Sequence, residues 1–474
     1  MIVLKFGGTS VGDGSRIATV AELVSKQKRR KPILVVSALA GVTEELIRLA
    51  ERARQGESDA IAPVVASLGE RHRRAARESG VGGIDLERLL AEIERELGRA
   101  GELARGVALL RELTARTRDE ILAIGELLSS RIAAAALSAR GEPVVWIDPR
   151  DLIATDDAFG AANPDEDAIA AAAPRRIGAP VADGRIVVTG GFVGRSEGGE
   201  TTTLGRGGSD TTAALLGAAL GAGAIEIWTD VDGILTADPR LVEGARRIPE
   251  ISYAEAAELA FFGAKVIHPA SIRPAVRRGI PVTIRNTFRP ESAGTIIHAG
   301  AAGDGVRALA SRKGTTAIFV TNPRMLLAHG YAARVFAVFE RARVPVDVIA
   351  TSEVSIAVTV DSGASLERIL RDLESFADVD VRRGLGVLTV VGQRLRSTPG
   401  VGARIFRALG DINVLLVSQG ASETNVTFVV EEEALGAAMN RLHDEFFGAA
   451  RVVSSAASAA TAASGAAVSA EVAP

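Results

Sequence analysis

Within the first ten residues a short apolar strand, Ile2-Val3-Leu4, runs into Lys5-Phe6-Gly7-Gly8-Thr9-Ser10. The glycines let backbone N–H groups approach an anion closely, and the lysine sets a point charge beside them. Open α/β sheets bind ligands at the C-terminal ends of their strands, so this turn reads as a phosphate site and constrains the chain to that class. It is not a P-loop, because no Gly-Lys-Ser/Thr follows a spaced glycine. Taken alone, a short glycine pair is usually only a turn. The rest of the chain therefore has to support the reading.

Residues 2–6 and 33–37 read as buried parallel strands around a helix at 15–31, a βαβ unit. The stretch 86–140 is rich in Ala, Leu, Arg and Glu with helical periodicity and predicts two or three helices. Further strands are expected at 144–147, 185–189, 224–229 and 281–285. Strands alternating with helices over about 300 residues predict an α/β domain whose largely parallel sheet is flanked by helices. The second half contains a repeat. Gly330-Tyr331-Ala332-Ala333-Arg334-Val335-Phe336 returns as Gly400-Val401-Gly402-Ala403-Arg404-Ile405-Phe406. Each copy predicts a ferredoxin-like α+β unit with helices on one face, leaving its other face or an edge for pairing between copies or chains. From 453 to 474 the chain is Ala, Ser, Thr and Val without periodicity, and disorder is expected there.

The 474 residues, 47% hydrophobic, allow two or three domains with sizeable cores. A net charge of −3 without a long basic block argues against a nucleic-acid surface. Lys28-Arg29-Arg30-Lys31 reads as cations at a helix C-terminus. The absence of cysteine removes disulfides, thiolate metal sites and thiol nucleophiles. No secretory signal and no apolar run of about 18 residues is expected, so no membrane contact and a cytoplasmic location are the default. Lysine occurs six times (5, 26, 28, 31, 265 and 313) among 55 basic residues. A lysine kept inside a glycine-rich turn, as at 5 and 265, is therefore less likely to be a generic surface cation; a compact ammonium suits a single phosphate oxygen.

The segment 201–212 is the strongest downstream feature. Arg206 lies among Gly205, Gly207 and Gly208, and Ser209 or Asp210 is expected to cap the helix that follows, its positive end facing an anion. Ser37–Thr43 forms a small polar turn after a strand. Thr229, Asp230 and Asp232 follow another strand; the two carboxylates read equally as a metal pair or as a turn. Phe262-Gly263-Ala264-Lys265-Val266 ends a helix. Glu126, on a helix, reads by itself as a solvated residue, and His268 as structural. Lysines, glycine-rich turns, one arginine and a few carboxylates, with no Ser/His/Asp set and no histidine cluster, suit phosphoryl transfer, which depends on positioning and charge neutralisation.

Together, Lys-Phe-Gly-Gly-Thr-Ser, Gly-Arg-Gly-Gly-Ser-Asp, Trp-Thr-Asp-Val-Asp-Gly-Ile and Phe-Gly-Ala-Lys-Val-Ile-His-Pro resemble aspartate kinases of the monofunctional, lysine-inhibited bacterial type. The resemblance covers nearly the whole chain except the tail. It implies the amino-acid kinase fold for residues 1–305 and two ACT regulatory domains within 306–452, with 314–385 inserted between 307–313 and 386–450. It also implies transfer of the ATP γ-phosphoryl group to L-aspartate, with Mg²⁺ and without a protein metal site that can be assigned. Lys5 and Asp210 would be catalytic, Asp210 orienting lysines rather than accepting a proton. Thr43, Glu126, Phe192, Arg206 and Ser209 would bind aspartate, Arg206 at its α-carboxylate and Glu126 at its ammonium. Lys5, Phe6, Gly7, Gly8, Thr229, Asp230, Leu235, Arg240, Lys265 and Val266 would lie at the nucleotide.

The effector, L-lysine by this resemblance, would meet Met325, Gly330, Tyr331, Ala332, Val346, Asp347, Thr351, Ser352 and Glu353 at an interface of a homodimer, or of a tetramer. The chain departs from the family pattern at Leu235, where tyrosine is common, and at Pro345 and Ala328 in the effector region. Threonine, alone or together with lysine, is the alternative effector. A sister kinase for glutamate, acetylglutamate or uridylate and a catalytically dead amino-acid sensor are the alternative functions.

Overall fold

The computed structural model describes residues 1–263, 267–300, 303–326, 329–361, 363 and 366–448. In chain order the strands of the first half are β1 (Ile2–Phe6), β2 (Pro32–Val36), β3 (Val144–Trp146), β4 (Ala154–Thr155), β5 (Ile186–Gly190), β6 (Val193–Ser196), β7 (Thr201–Thr203), β8 (Ala224–Thr229), β9 (Glu250–Ser252), β10 (Val282–Asn286) and β11 (Thr295–His298). Its helices are α1 (Gly14–Lys26), α2 (Val42–Arg54), α3 (Ile61–Glu78), α4 (Gly83–Leu110), α5 (Ala115–Ala139), α6 (Glu166–Ala182), α7 (Gly208–Leu220), α8 (Tyr253–Phe261) and α9 (Arg273–Arg277). The second half contributes β12 (Gly305–Thr321), β13 (Ile349–Thr351), β14 (Ser355–Asp361), β15 (Asp378–Gln393), β16 (Leu416–Gln419) and β17 (Asn425–Glu431). Its helices are α10 (Tyr331–Ala342), α11 (Leu366–Glu374), α12 (Val401–Leu409) and α13 (Leu435–Phe447).

Alternate residues of the central strands serve opposite faces, as strand geometry requires. Ile2, Leu4, Phe6, Leu34 and Val36 pack under α1 to α5. Val3, Ile33, Val35, Ile225 and Ile227 pack under α6 to α9. Burial on both faces explains the continuous apolar runs and the parallel pairing of β1, β2, β3, β5, β8 and β10. The sheet order is β3-β5-β2-β1-β8-β10-β11-β9, with β11 antiparallel to β10. After β1 the chain adds strands on one side, then returns with β8 on the other. The crevice beyond the end of β1 is thus a topological switch point, where such sheets bind ligands.

Several details differ from expectation. Helix α1 ends at Lys26, and Lys28–Arg30 form a separate 3-10 turn closed by Lys31 in the left-handed region (φ 53°). Its cations leave the helix axis to pair with Glu142 and Glu226. The 86–140 stretch forms two helices. Residues 201–203 form a strand of a small sheet ordered β4-β6-β7. By length and composition α5 is a candidate membrane span, but 83% of its most apolar window is buried inside the protein, which makes it the core helix under the sheet.

In the second half each copy of the repeat places two helices on one sheet face. Val335, Phe339 and Ile369 close one core, and Ile405, Met439 and Leu442 the other. The six strands run β13-β14-β12-β15-β17-β16, and the long strands β12 and β15 pass through both units, with a register shift between Arg312 and Thr315. The helix-free faces do not stay open. Ala317, Val348 and Ala357 of one unit share an apolar cluster with Val387, Leu416 and Val429 of the other. The second unit also grips the first half of the chain: Gln393 Nε2 donates to Ser252 Oγ (2.6 Å), and Ser422 Oγ to Glu258 Oε1 (3.1 Å).

Asp119, fully buried near the start of α5, fastens β7 and the loop at residue 160 to that helix. Its Oδ2 accepts the N–H groups of Gly160 and Thr203 (both 2.9 Å), and its Oδ1 the hydroxyl of Thr203 (2.8 Å). Asp119→Ala leaves two backbone donors unpaired in a dry site, so it should destabilise the protein by about 3 kcal/mol. A thermal melt checks this; an unchanged melting temperature would contradict it.

Candidate active site

Lys5 is the next-to-last residue of β1, and its Nζ lies 2.6 Å from Oδ1 of Asp210 in the first turn of α7. Both side chains are nearly buried, at 11% and 13% exposure. The turn after Lys5 is tied to the neighbouring strands. The N–H of Gly7 donates to Trp228 O (3.0 Å), and Ser10 Oγ lies 2.7 Å from Thr287 Oγ1. Below it the rings of Phe6 and Trp228 stack at 5.4 Å.

Helix α7 begins one residue earlier than its expected caps. Gly207, at φ 73°, occupies the N-cap position in the left-handed region that glycine enters freely. Ser209 and Asp210 therefore do not cap the helix, and their side chains are free to face a ligand. Phe192 also has positive φ, at 66°. That costly conformation is held because its N–H donates to Thr212 Oγ1 (3.1 Å) and its carbonyl accepts from Leu204 N (2.9 Å). Beside it Gly191 lies so near α7 that an added Cβ would fall 2.5 Å from that of Ser209.

A cavity of about 270 Å³ opens here, lined by Lys5, Gly8, the 37–41 turn, Thr43, Glu44, Glu126, Phe192, Gly205 and Gly207–Asp210. Five of the expected substrate and catalytic positions other than Arg206 thus meet Lys5 in one space: Thr43, Glu126, Phe192, Ser209 and Asp210. Arg206 itself is exposed and outside the lining, although its glycine neighbours are in it. Glu126 is not a solvated residue. It is 4% exposed, and its Oε2 is buried without a hydrogen-bond partner. Burial pushes its carboxyl up to about 8, against the backbone N–H of Ala38 and the charge of Lys5, while Glu44 adds repulsion. Such a carboxyl has an open position for a cation. The space can therefore take a small molecule with an ammonium at Glu126 and an anionic group toward Lys5.

Ala38, Leu39, Ala40 and Glu44 also line the cavity, although no role was expected for any of them individually. The small residues of the 37–43 turn were the available signal. Glu44 looks in sequence like any acidic residue in a first helical turn.

The expected nucleotide positions fall in two places. Thr229 ends β8 and Asp230 follows it; β8 runs beside β1, with Lys5 paired to Ile227 and Phe6 to Trp228. Leu235 and Arg240 line a second cavity of about 280 Å³ with Gly233, Ile234 and Gly263, closed on another side by Leu309, Ala310 and Ser311 of β12. Arg240 pairs with both oxygens of Asp238, which holds that carboxyl below its ordinary range. Lys265 and Val266 lie outside the described residues. Asp232 is engaged by Asn286 Nδ2 (2.7 Å) and Arg289 Nη2 (2.5 Å), as a turn residue would be. Among the described residues no three His, Cys, Asp or Glu side chains gather as a metal cluster.

The expected effector positions lie on one unit of the repeat. Met325, Tyr331 and Val346 pack on the same apolar cluster. Gly330, at φ 76°, opens α10, followed by Tyr331 and Ala332. Thr351 ends the edge strand β13, and Ser352 Oγ lies 2.7 Å from Ser355 Oγ, with Glu353 exposed between them. Asp347 is paired with Arg312, and Ala328 lies outside the described residues.

Comparison with known proteins agrees with this arrangement. Residues 1–286 match the model of the amino acid kinase family, and residues 388–446 that of the ACT domain. The chain is 38% identical to the lysine-sensitive aspartokinase 3 of Escherichia coli, over 94% of this chain and 99% of that one. It is 36% identical to the chloroplastic aspartokinase 3 of Arabidopsis thaliana, over 94% and 81%. The crystal structure of the E. coli aspartokinase III with aspartate and ADP superposes with a TM-score of 0.78, at 38% identity over 94% of this chain and 100% of that one. The chain therefore belongs to the aspartokinases of the amino acid kinase family.

Proposed function

We propose that this chain transfers the γ-phosphoryl group of ATP to the β-carboxylate of L-aspartate, giving 4-phospho-L-aspartate and ADP, the first step toward lysine, threonine and methionine. The observation that carries the reading is the nearly buried Lys5–Asp210 pair and the unpartnered Glu126 Oε2 on one small cavity at the end of β1. A substrate carboxylate with a pKa of about 4 is already ionised at neutral pH, so no general base is required. Its oxygen forms the new bond to phosphorus as the bond from phosphorus to the β,γ-bridging oxygen breaks. Lys5 neutralises the charge gathering on the phosphate oxygens, and Asp210 holds the ammonium in line. Glu126 receives the substrate ammonium; Thr43, Phe192 and Ser209 shape the space. Arg206, on its exposed loop, closes on the α-carboxylate as a two-pronged donor.

ATP extends from the Lys5–Gly8 turn past Thr229 and Asp230 toward Leu235 and Arg240. Mg²⁺ would be held largely by the ATP phosphates and water, with Asp230, just after β8, as one carboxylate that would complete its shell. Bound there, the ion would shield the phosphate charges.

We assign catalysis to residues 1–305 and regulation to 306–452, the first ACT unit (314–385) being inserted between 307–313 and 386–450. The passage of β12 and β15 through both units supports this division. A cytoplasmic homodimer through these units, with L-lysine as inhibitor, accords with the exposed edge strand β13 and with the lysine-sensitive relative. The buried, unpaired Tyr331 hydroxyl beside the expected effector positions gives that ligand a polar contact.

Purified protein with Mg-ATP should release ADP only when aspartate is present, and millimolar lysine should suppress the release. Turnover without aspartate dependence would refute the reading. Arg206→Ala should raise KM for aspartate by about tenfold to hundredfold and leave that for ATP nearly unchanged. A rise confined to the ATP KM would refute its assignment. Thr351→Ile should keep turnover and lose inhibition by lysine, as an inhibition curve will show.

Glu126 also sets a pH dependence. In the free enzyme its carboxyl is largely neutral below about pH 8, whereas the substrate ammonium requires it ionised. Binding must then release a proton. KM for aspartate should therefore fall as pH rises from 6 to 8, by up to about tenfold per unit, and level off above. Glu126→Gln should flatten this slope; a profile that keeps its shape in that variant would contradict the assignment.

A further inference from the structure

The segment 235–246, between β8 and β9, carries Leu235 and Arg240 on the wall of the second cavity. It is embedded in the second regulatory unit rather than held by the kinase sheet alone. Ala237 and Val242 are buried in the same apolar cluster as Leu309, Leu388, Met439 and Leu442. Asn440 Nδ2 of α13 donates to Leu241 O (2.9 Å).

Thr236 is the centre of this junction. Its N–H donates to Arg246 O (2.8 Å), and its carbonyl accepts the N–H of Leu309 from β12 (2.7 Å). Its hydroxyl oxygen accepts the N–H of Arg246 (2.9 Å) and lies 3.0 Å from Nε2 of His443 on α13. Thr236 is 7% exposed and His443 3%, so no water replaces these bonds at low cost. The two bonds between Thr236 and Arg246 suffice to close the turn. The bonds to Leu309 and His443 serve another purpose, because they reach elements of the regulatory half. Leu309 itself lines the cavity together with Leu235 and Arg240. Any shift of α13 or β12 against the kinase sheet must therefore move the cavity wall through Thr236.

We propose that Thr236 is a positioning residue through which His443 of α13 and Leu309 of β12 set the shape of the second cavity, and with it the affinity for the adenine nucleotide. This rests on the reading that Leu235 and Arg240 contact ATP. The test is steady-state kinetics on the full-length protein, with ATP and aspartate varied separately. Thr236→Val removes the hydroxyl at constant shape and should raise KM for ATP by about tenfold, with kcat and the aspartate KM within about twofold of wild type. Thr236→Ser, which keeps the hydroxyl, should behave as wild type. His443→Leu should reproduce the valine variant, and His443→Gln, which can still bond to the hydroxyl, should recover most of the ATP affinity. Arg240→Ala reports on the underlying reading and should raise KM for ATP whatever happens at Thr236. An unchanged ATP KM in Arg240→Ala would remove the nucleotide from this cavity and the proposal with it. If Arg240→Ala behaves as expected while Thr236→Val and His443→Leu leave the ATP KM unchanged, or raise both KM values equally, the positioning role is overturned.

Discussion

The 2.6 Å ion pair between Lys5 and Asp210 fixes the geometry on which the rest of the site depends. It joins the end of the central strand to the start of α7, the two elements that meet at the switch point of the sheet. An ammonium and a carboxylate this poorly exposed gain little in net stability, because desolvation offsets their attraction. Their value is positional: the pair holds one charge on the wall of the cavity, where the proposed mechanism needs it. The surrounding backbone is arranged to let α7 come this close. Gly191 has no side chain to strike Ser209, Gly207 turns the chain into the helix, and Phe192 is held in a conformation it would otherwise avoid.

The second constraint is the dry environment of α5. The helix is apolar enough to resemble a membrane span, and its burial leaves one oxygen of the Glu126 carboxyl, Oε2, without a hydrogen-bond partner. A buried carboxyl in that position favours an ammonium ligand over a neutral one, since only a cation repays its ionisation. Groups from different layers thus meet in one small cavity, Glu126 from helix α5 and Lys5 from the C-terminal part of the central strand β1. The regulatory half completes the other end of the site. Leu309 to Ser311 belong to a strand shared by both ACT units, yet they form a wall of the cavity that holds Leu235 and Arg240. If the proposed nucleotide positions hold, regulation has only a short path to them.

Much of this was legible in the chain. The apolar runs at β1, β2, β5 and β8 announced a buried parallel sheet, and Lys5 ahead of Gly7-Gly8 and Arg206 between glycines marked its ligand-binding end. The repeat at 330 and 400 announced the paired α+β units. What stayed hidden depended on tertiary packing. Glu126 looks solvated because a helical carboxylate usually is, and only the neighbouring β5 and the 37–41 turn bury it. The small sheet of β4, β6 and β7 is built from strands too short to show a period. The start of α7 was misplaced because Gly207, rather than a polar side chain, caps it. No local pattern tells that Thr236 bonds to a histidine 207 residues away.

The most direct test of the central claim is the pH profile of kcat, at saturating ATP and aspartate, for the wild type and Asp210→Asn. If Asp210 acts by orienting Lys5 and no general base takes part, the variant should be slower by about tenfold to hundredfold at every pH from 6 to 9, with the profile unchanged in shape. An acidic limb present in the wild type and missing from Asp210→Asn would make Asp210 a proton acceptor and contradict the account.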